Sequence, residues 1–484
     1  MHRSGTFKTS SLVVFARINT AIHFAAIALA TLLVPLSCMP AACGQRGELF
    51  VVAHFTSPID SISKEQCDGI LGGDGTDFND PGRKGGPAMR LAVDERVAAS
   101  FARAYPKAAA RTARFDEDES LAADRSFLGV CDVRGLRPHF KVIAIDGVYP
   151  WGRRSRDYTL DRSSRYPLLL HGALPWDSAK NCTVVQTGVT AMTRAFIAAV
   201  ERSGSVLYPV RETAPITAQA DLALTSNEVS FLEPCRYPLK DRMRFCSPSR
   251  FFEILTHSGF DLIELTGNHN NDYGGKYNTR TMELFENAGI AYYGGGRNRE
   301  EAESVRYIPA GKHRIAFAGF NEVGPAEAWA TDTGPGAARL SKGLFEDRVR
   351  EAVASAPIVF IMVQSTNENE PVPWTSQVRL FHRAIDLGAT ITGSSSAHRA
   401  MGLEFYRGRL ILYGLGNFLF DQMQTVHHRR GIMARHHFYD GRHIQTELIP
   451  YIIHDYCQPR LLHGAAARDL MKEVFRYSRG PVFE

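Results

Sequence analysis

The chain has 484 residues, of which 44% are hydrophobic and 22% charged, and its formal net charge is +5. These are the values of an ordinary globular protein and exclude a disordered chain, while the length exceeds one ordinary core, so two domains are expected. The mild positive charge permits an acidic partner without demanding one, and with no nucleic-acid motif beside it a nucleic-acid partner is not expected.

The first element lies outside the fold. Arg3, Lys8 and Arg17 precede an apolar stretch, residues 18–37, which is the pattern of an export signal. At about 20 residues the stretch also suffices for a membrane anchor. Leu36-Ser37-Cys38 suggests a lipoprotein site, with Pro35 where an aliphatic residue is wanted. Cleaved signal, retained anchor and lipoprotein stay open for residues 1–43, and each places the bulk of the chain outside the cytoplasm. Six cysteines follow: Cys67, Cys131, Cys182, Cys235, Cys246 and Cys457. An oxidising compartment permits bridges, and Cys235 with Cys246 around a short basic loop is the best candidate pair. No Cys-x-x-Cys exists to form a zinc knuckle.

Residues 48–178 are expected to form a mixed α/β domain. Leu49 to Ala53 reads as a strand, and Ser61 as the cap of a following helix. A Gly/Asp-rich loop spans 72–86. Residues 88–105 read as a helix bounded by Pro87 and Pro106, and Phe140 to Ile145 as a strand. The stretch SISKEQCDGILGG resembles the helix and loop of phosphate-type periplasmic binding proteins. A boundary is expected near 172–181, around Pro175. Over 182–480 short apolar runs alternate with helical patterns, which argues for a layered α/β domain. Its strands are read at 182–186, 220–225, 261–265, 314–319, 358–363, 389–392 and 410–413, and its helices at 191–202, 249–257 and 279–287.

The most informative stretch is residues 264–274, ELTGNHNNDYG. An apolar run delivers Gly267-Asn268-His269 to a strand end, where Gly267 permits a tight turn. Asn268 offers an amide oxygen to a cation, His269 a nitrogen that exchanges protons near neutral pH, and Asp272 a carboxylate that can orient a neighbour. The alternative is a polar turn capped by Asn and Asp.

Gly-Asn-His at a strand end resembles the signature of calcineurin-like metallophosphatases, and Asn268-His269 with Asp272 and Gly274 resembles their bacterial relatives in the capsule-synthesis CapA family. Three further segments are similar to that family, in its order: Thr225-Ser-Asn-Glu228, AGIAYYGGGRNREEA (288–302) and EFYRGRLILYGLGNFLFDQ (404–422). The resemblance covers roughly 182–425. It implies a metallophosphatase-like layered α/β sandwich preceded by a smaller mixed α/β domain. It also implies a role in making, exporting or tethering poly-γ-glutamate, and so an anionic polymer as partner.

The family's site implies about six ligands around two cations that stabilise a phosphate-like oxygen and activate water. By resemblance, Glu228 is the bridging carboxylate, Asn268 and His398 are ligands, and His269 is a general acid beside the substrate and not a ligand; Asp272 is the other catalytic candidate. Arg194 and Asn417 are expected to contact substrate. The chain departs from the pattern at Val189, Gln364 and Ser396, which replace an aspartate and two histidines. Three arrangements stay open: a full dinuclear centre, one divalent cation (Mn, Zn, Mg or Ca) held by Glu228, Asn268, Gln364 and His398, or a metal-free pocket, the last favoured. A metal-dependent hydrolase of a phosphoester or amide-linked polymer, and a solute-binding or sensing protein, are the competing functions.

Four other features carry paired readings. Asn367, Glu368 and Glu370, with Glu404, Asn417 and Asp421, converge on a hard cation or are solvated loop residues. Ser394-Ser395-Ser396 beside His398 is a nucleophilic pair or a polar turn. Gly294-Gly295-Gly296 before Asn298 is an anion cradle or a helix cap. Residues 427–437, HHRRGIMARHH, grip a polyanion or form a solvated hairpin face.

Overall fold

The computed structural model describes residues 45–73, 89–116, 124–154, 158–161, 163–236, 244–365, 367 and 369–484. The expected signal segment, most of the Gly/Asp-rich loop and Glu368 lie outside the described residues. Residues 44–484 form one compact unit.

Two sheets dominate it. The first has seven strands in the order Ala291–Tyr293, Leu262–Glu264, Leu222–Ser226, Asn181–Gln186, Arg430–Tyr439, Arg442–His454 and Gln458–Leu461. The second has six, in the order Arg306–Ala310, His313–Asn321, Ile358–Gln364, Ile391–Ser394, Arg409–Leu412 and Leu403–Tyr406. The strand Ile358–Gln364 shows why they stack. Every residue is buried, and alternation sends them to opposite faces. Ile358, Phe360 and Met362 meet Leu222, Leu224 and Leu262 of the other sheet in one shared core. Val359, Ile361 and Val363 pack instead with Phe345 and Phe381 of the helices Lys342–Ser355 and Thr375–Asp386. The seven-stranded sheet turns Ala223 and Ile263 toward Phe196, Ile254 and Phe285 of its own helices. The result is a helix–sheet–sheet–helix sandwich, and strands buried on both faces read as continuous apolar runs.

Three adjacent strands in each of these sheets pair in parallel. Their carboxyl ends, at Gln186, Ser226, Glu264, Asn321, Gln364 and Ser394, therefore open on one edge of the sandwich, the ordinary place for a ligand site.

Residues 46–171 contribute further strands, chiefly a five-stranded sheet ordered Ala113–Phe115, Arg90–Asp94, Phe127–Cys131, Phe50–His54 and Phe140–Val142. Its core also takes in Tyr439 and Ile444 from the hairpin of the seven-stranded sheet. The Val142 N–H donates to Gln445 Oε1 at 2.8 Å and the Trp151 indole to Glu447 Oε1 at 2.8 Å. The Trp151 ring stacks on His437 at 3.9 Å.

Several expectations change here. The helix expected over 88–105 is a strand, Arg90–Asp94, and then a helix, Glu95–Ala104. Asp94 caps that helix through the Arg96 N–H, so the break comes at the cap and not at Pro87. The first helix is capped by Ser63 in a capping box with Gln66, not by Ser61. Residues 430–437 are neither a solvated face nor a polyanion grip. They lie in an inner strand of the seven-stranded sheet with Arg435, His436 and His437 buried. Arg435 is matched there by Glu447 at 3.3 Å and by the Tyr158 carbonyl at 2.7 Å. Cys235 and Cys246 form the expected disulfide.

Candidate functional site

The site grows from the carboxyl ends of the parallel strands. Gly267 is needed there for a close approach: a Cβ would sit 2.6 Å from Glu228 Cα. That contact brings Asn268 and His269 alongside Glu228, and Val229 bridges to His269.

Gln364 ends its strand between these groups, and its amide orientation is fixed by a chain of unambiguous donors. The Trp329 indole N–H and the Gly324 N–H both donate to Asn321 Oδ1, at 2.9 and 2.8 Å. Asn321 Nδ2 must then face the Thr266 carbonyl and Gln364 Oε1, each at 2.7 Å. Gln364 is left presenting its Nε2 to Asn268 Oδ1 at 3.0 Å and Glu228 Oε1 at 3.2 Å. An amide nitrogen carrying two hydrogens thus stands where these oxygens converge, and it is a donor with no ligand lone pair.

A second array crosses the site. His269 and Phe245 rings lie 4.4 Å apart. The Arg194 guanidinium sits 4.8 Å from the Phe245 ring and 4.9 Å from the Phe420 ring. Phe420 in turn lies 5.3 Å from His398. Val189, Ala191 and Val229 complete an apolar cluster with the two phenylalanines. The residue in the family's aspartate position therefore faces hydrocarbon, and the fixed positive charge of the array is Arg194.

Each histidine has its own orienting partner. His269 Nδ1 is 2.8 Å from Asp272 Oδ2, which also accepts the Phe245 N–H at 2.7 Å. His398 Nδ1 is 2.8 Å from Asn417 Oδ1. Asn417 Nδ2 donates to the carbonyls of His398 and His428 and to Gln422 Oε1, so Asn417 Oδ1 is an acceptor and His398 Nδ1 carries the proton. Burial pushes the His398 imidazole down to about 4, the nearby His428, Arg194 and His269 add to the effect, and Asn417 opposes it.

The expected site residues thus come together, but with altered roles. Asn417 is buried, and its amide is engaged by His398, His428 and Gln422, so it positions His398. Arg194 is paired with Asp421 through Nε at 3.0 Å and through Nη2, and the same carboxylate also accepts the Ala195 N–H at 2.8 Å. Its stacking and ion pair leave only one edge for a substrate.

The other clusters separate. Glu404 faces His382 and Tyr413, Asp421 faces Arg194, Asn367 bonds Val372 and Gln377, and Glu370 is exposed. Ser396 donates to the Ser365 carbonyl at 2.7 Å and accepts the Ser365 N–H at 3.0 Å, which is a polar turn. Gly295 and Gly296 pair as a short strand with Gly336 and Ala337, and Asn298 caps the next turn of helix. Among the described residues no group of three or more His, Cys, Asp or Glu side chains gathers in a way that would hold a metal ion. Judged by donor chemistry, Glu228, Asn268, Gln364 and His398 do not fit a resident cation, since Gln364 offers hydrogens to two of the other three.

Sequence reasoning missed Glu264. It is buried at the end of an apolar strand and accepts from Ser395 at 2.5 Å, Thr266 at 2.7 Å and Tyr293 at 3.4 Å. Burial raises its carboxyl above the usual range against those hydrogen bonds. A lone acid in the apolar run Leu262-Ile-Glu-Leu265 was the available signal.

Comparison with known proteins follows the same segment. The family described as Bacterial capsule synthesis protein PGA_cap matches residues 183–422. Capsule biosynthesis protein CapA of Bacillus anthracis is 25% identical over 280 residues, 56% of this chain and 68% of that protein. PGA biosynthesis protein CapA of Bacillus subtilis (strain 168) is 27% identical over 204 residues, 42% of this chain and 53% of that protein. The chain thus spans about half the length of the latter. A 5'-nucleotidase precursor from Thermus thermophilus aligns over 61% of this chain and 58% of its own, at 12% identity and a TM-score of 0.37. At that score the likeness carries no argument.

Proposed function

Through residues 183–422 this chain belongs to the bacterial capsule synthesis family, and on that premise we propose that it serves the synthesis, export or tethering of a poly-γ-glutamate-type polymer outside the cytoplasm. In this reading the metallophosphatase-like site has become degenerate and works without a resident metal. The observation that carries the reading is the Gln364 amide, whose Nε2 donates to both Glu228 and Asn268. Val189 in its apolar cluster supports it. The basic and apolar N-terminal segment, residues 3–37, supports export and a membrane contact where it is retained. Among the described residues no helix is long and apolar enough to cross a membrane.

The test is elemental analysis of the full chain, purified without a histidine tag or chelator and then incubated with Mn, Zn, Mg or Ca. The expected result is no bound metal. One or two equivalents, lost in an Asn268→Ala/His398→Ala variant, would overturn the reading.

One observation favours a second reading. His269 and Asp272 form an oriented dyad with Nε2 of the imidazole left for proton transfer, as a hydrolase of a phosphoester or amide-linked polymer requires. Turnover of a generic phosphodiester by the wild type, abolished in His269→Ala with the fold intact, would select it. No turnover with any divalent metal would discard it.

A further inference from the structure

Arginines converge at the far end of the sandwich. A cleft of about 510 Å³ is lined by Arg96, Arg134, Arg137, Arg409 and Arg442, with His443, two prolines and two glycines. That volume falls within the roughly 300–1,000 Å³ range of ligand pockets. Pro357, which lines it, immediately precedes the strand Ile358–Gln364. The cleft therefore opens at the amino end of the strand whose carboxyl end carries Gln364. Six steps of about 3.3 Å put the two sites about 20 Å apart.

The cleft is preorganised. Arg96 is gripped by buried Asp94 through Nε at 2.8 Å and Nη2 at 2.7 Å. Arg134 is gripped by buried Asp132 through Nε at 2.9 Å and again through Nη2. Arg137 Nη1 donates to the Arg134 carbonyl at 2.6 Å, and Arg442 Nη2 to the Val133 carbonyl at 2.8 Å. Arg409 and Arg442 each follow a tight hairpin turn, Arg407-Gly408 and Asp440-Gly441. Both residues of each turn have positive φ, between 50° and 78°, the geometry of the stiff two-residue hairpin. Arg409 has no hydrogen-bond or ion-pair partner among the described residues.

The lining also selects the kind of anion. Among the described residues no Ser, Thr or Tyr hydroxyl and no aromatic ring other than His443 lines the cleft, so bases have no stacking platform. The helix Glu95–Ala104 beside it has its Arg96 N–H taken by the Asp94 carboxylate, which sets a negative charge at the helix end where phosphate sites gather backbone N–H groups. What remains is a cluster of guanidinium charge with the Arg409 fork unengaged among the described residues, which suits a carboxylate or a phosphate group two bonds at a time.

We propose that this cleft binds a segment of a flexible chain bearing a carboxylate on each residue, a polymer-holding site separate from the one at the opposite strand ends. The choice of this polymer as the anion rests on the proposed role, while the cleft rests on its arginines. The test is anisotropy of a labelled poly-γ-glutamate oligomer with the full chain, at low and at moderate salt. Wild type is expected to bind, more weakly as salt rises. Arg409→Gln is expected to weaken binding about tenfold, and Arg409→Lys to lie between the two, because it keeps the charge and loses the fork. Arg409 is the position to change because it holds no other part of the fold, and melting curves of both variants check this. Equal binding by wild type and Arg409→Gln would overturn the cleft assignment. So would displacement of the oligomer by glutarate, inorganic phosphate or single-stranded DNA at equal charge, which would mark a site for small anions or nucleic acid. Metal in the wild-type chain would overturn the degenerate-site reading and leave the cleft standing.

Discussion

Replacing Gln364 by leucine probes the amide that bridges Glu228 and Asn268. Leucine keeps most of the volume at this fully buried position, so the cavity term is small and the cost is polar. Three hydrogen bonds go: to Glu228, to Asn268, and from Asn321. A bond to a charged group contributes about 1.5–3 kcal/mol, and each neutral partner left buried and unpaired costs about 1 kcal/mol or more, so the loss is about 4 kcal/mol. Unfolding entropy of about 2.1 cal/mol/K per residue over the 44–484 unit converts this into a fall in Tm of about 4–5 °C by calorimetry. Gln364→Glu is the companion variant. It sets a carboxylate opposite Glu228, so it loses stability without metal and regains it with Mn²⁺. A Kd of about 10 μM at about 1 mM metal returns about 2.7 kcal/mol, or about 3 °C. Wild type should not respond. A Gln364→Leu loss below about 1 kcal/mol, or a wild-type Tm that rises with Mn²⁺ as much as that of Gln364→Glu, would refute the orientation argued for the amide.

Three further outcomes follow from the same geometry. Glu447→Ala leaves Arg435 as a buried charge stripped of its carboxylate, and should cost about 3–5 kcal/mol in chemical denaturation; a loss near that of a surface substitution would contradict the buried pairing. Arg194→Lys keeps the charge but loses the forked pairing to Asp421 and the flat contact with Phe245 and Phe420, so Tm should fall by about 2 °C or more, and an unchanged Tm would argue against the stacked array. Acid should destabilise the fold before carboxylates in their ordinary range titrate: burial holds His443 down at about 3 and His436 well below its ordinary value. The unfolded chain takes up those protons first, so the stability present above about pH 6.5 is lost as pH falls toward about 3, with about 2 kcal/mol gone at His443 by pH 5. Denaturation midpoints at pH 7 and pH 5 measure this, and the same difference in a His443→Asn variant would assign the effect elsewhere.

The sandwich was legible because its parallel strands are buried on both sides. Runs such as Ile358 to Val363 have no other use, and the motif-bearing loops fall where those runs end. Asn268, His269, Asp272, Glu228 and His398 could be placed together because residue types with few structural substitutes stood at strand ends. What sequence could not supply was direction. Gln364 reads as a weak ligand until Trp329 and Gly324, far from it in the chain, fix which end of its amide faces Glu228. Arg194 and Asn417 read as substrate contacts until Asp421, Phe420 and the carbonyls of His398 and His428 claim them. The error over 430–437 has a different origin. His and Arg suggest water, but Glu447 and Trp151 lie ten or more residues away along the chain or in another layer, and they make burial tolerable. The strand at 90–94 was hidden because Val93, Val97 and Phe101 also satisfy a helical spacing, and only sheet pairing with Phe127–Cys131 decides between them.

The contact of Trp151 with Glu447 and His437 bears on how this chain can be cut and compared. The capsule-family match covers residues 183–422, and the hairpin that follows it is kept dry in part by an indole from residue 151. A truncation at the family boundary would uncover a buried Arg–Glu–His cluster and strip the Val142 bond from Gln445, so the shortened protein should aggregate or lose its hairpin sooner than its site. A protein of this fold without the preceding segment would need other side chains at the Arg435 and Glu447 positions. Those two positions are therefore where an alignment would reveal whether the amino-terminal layer was gained once, together with its docking face, or added to a surface that already tolerated water.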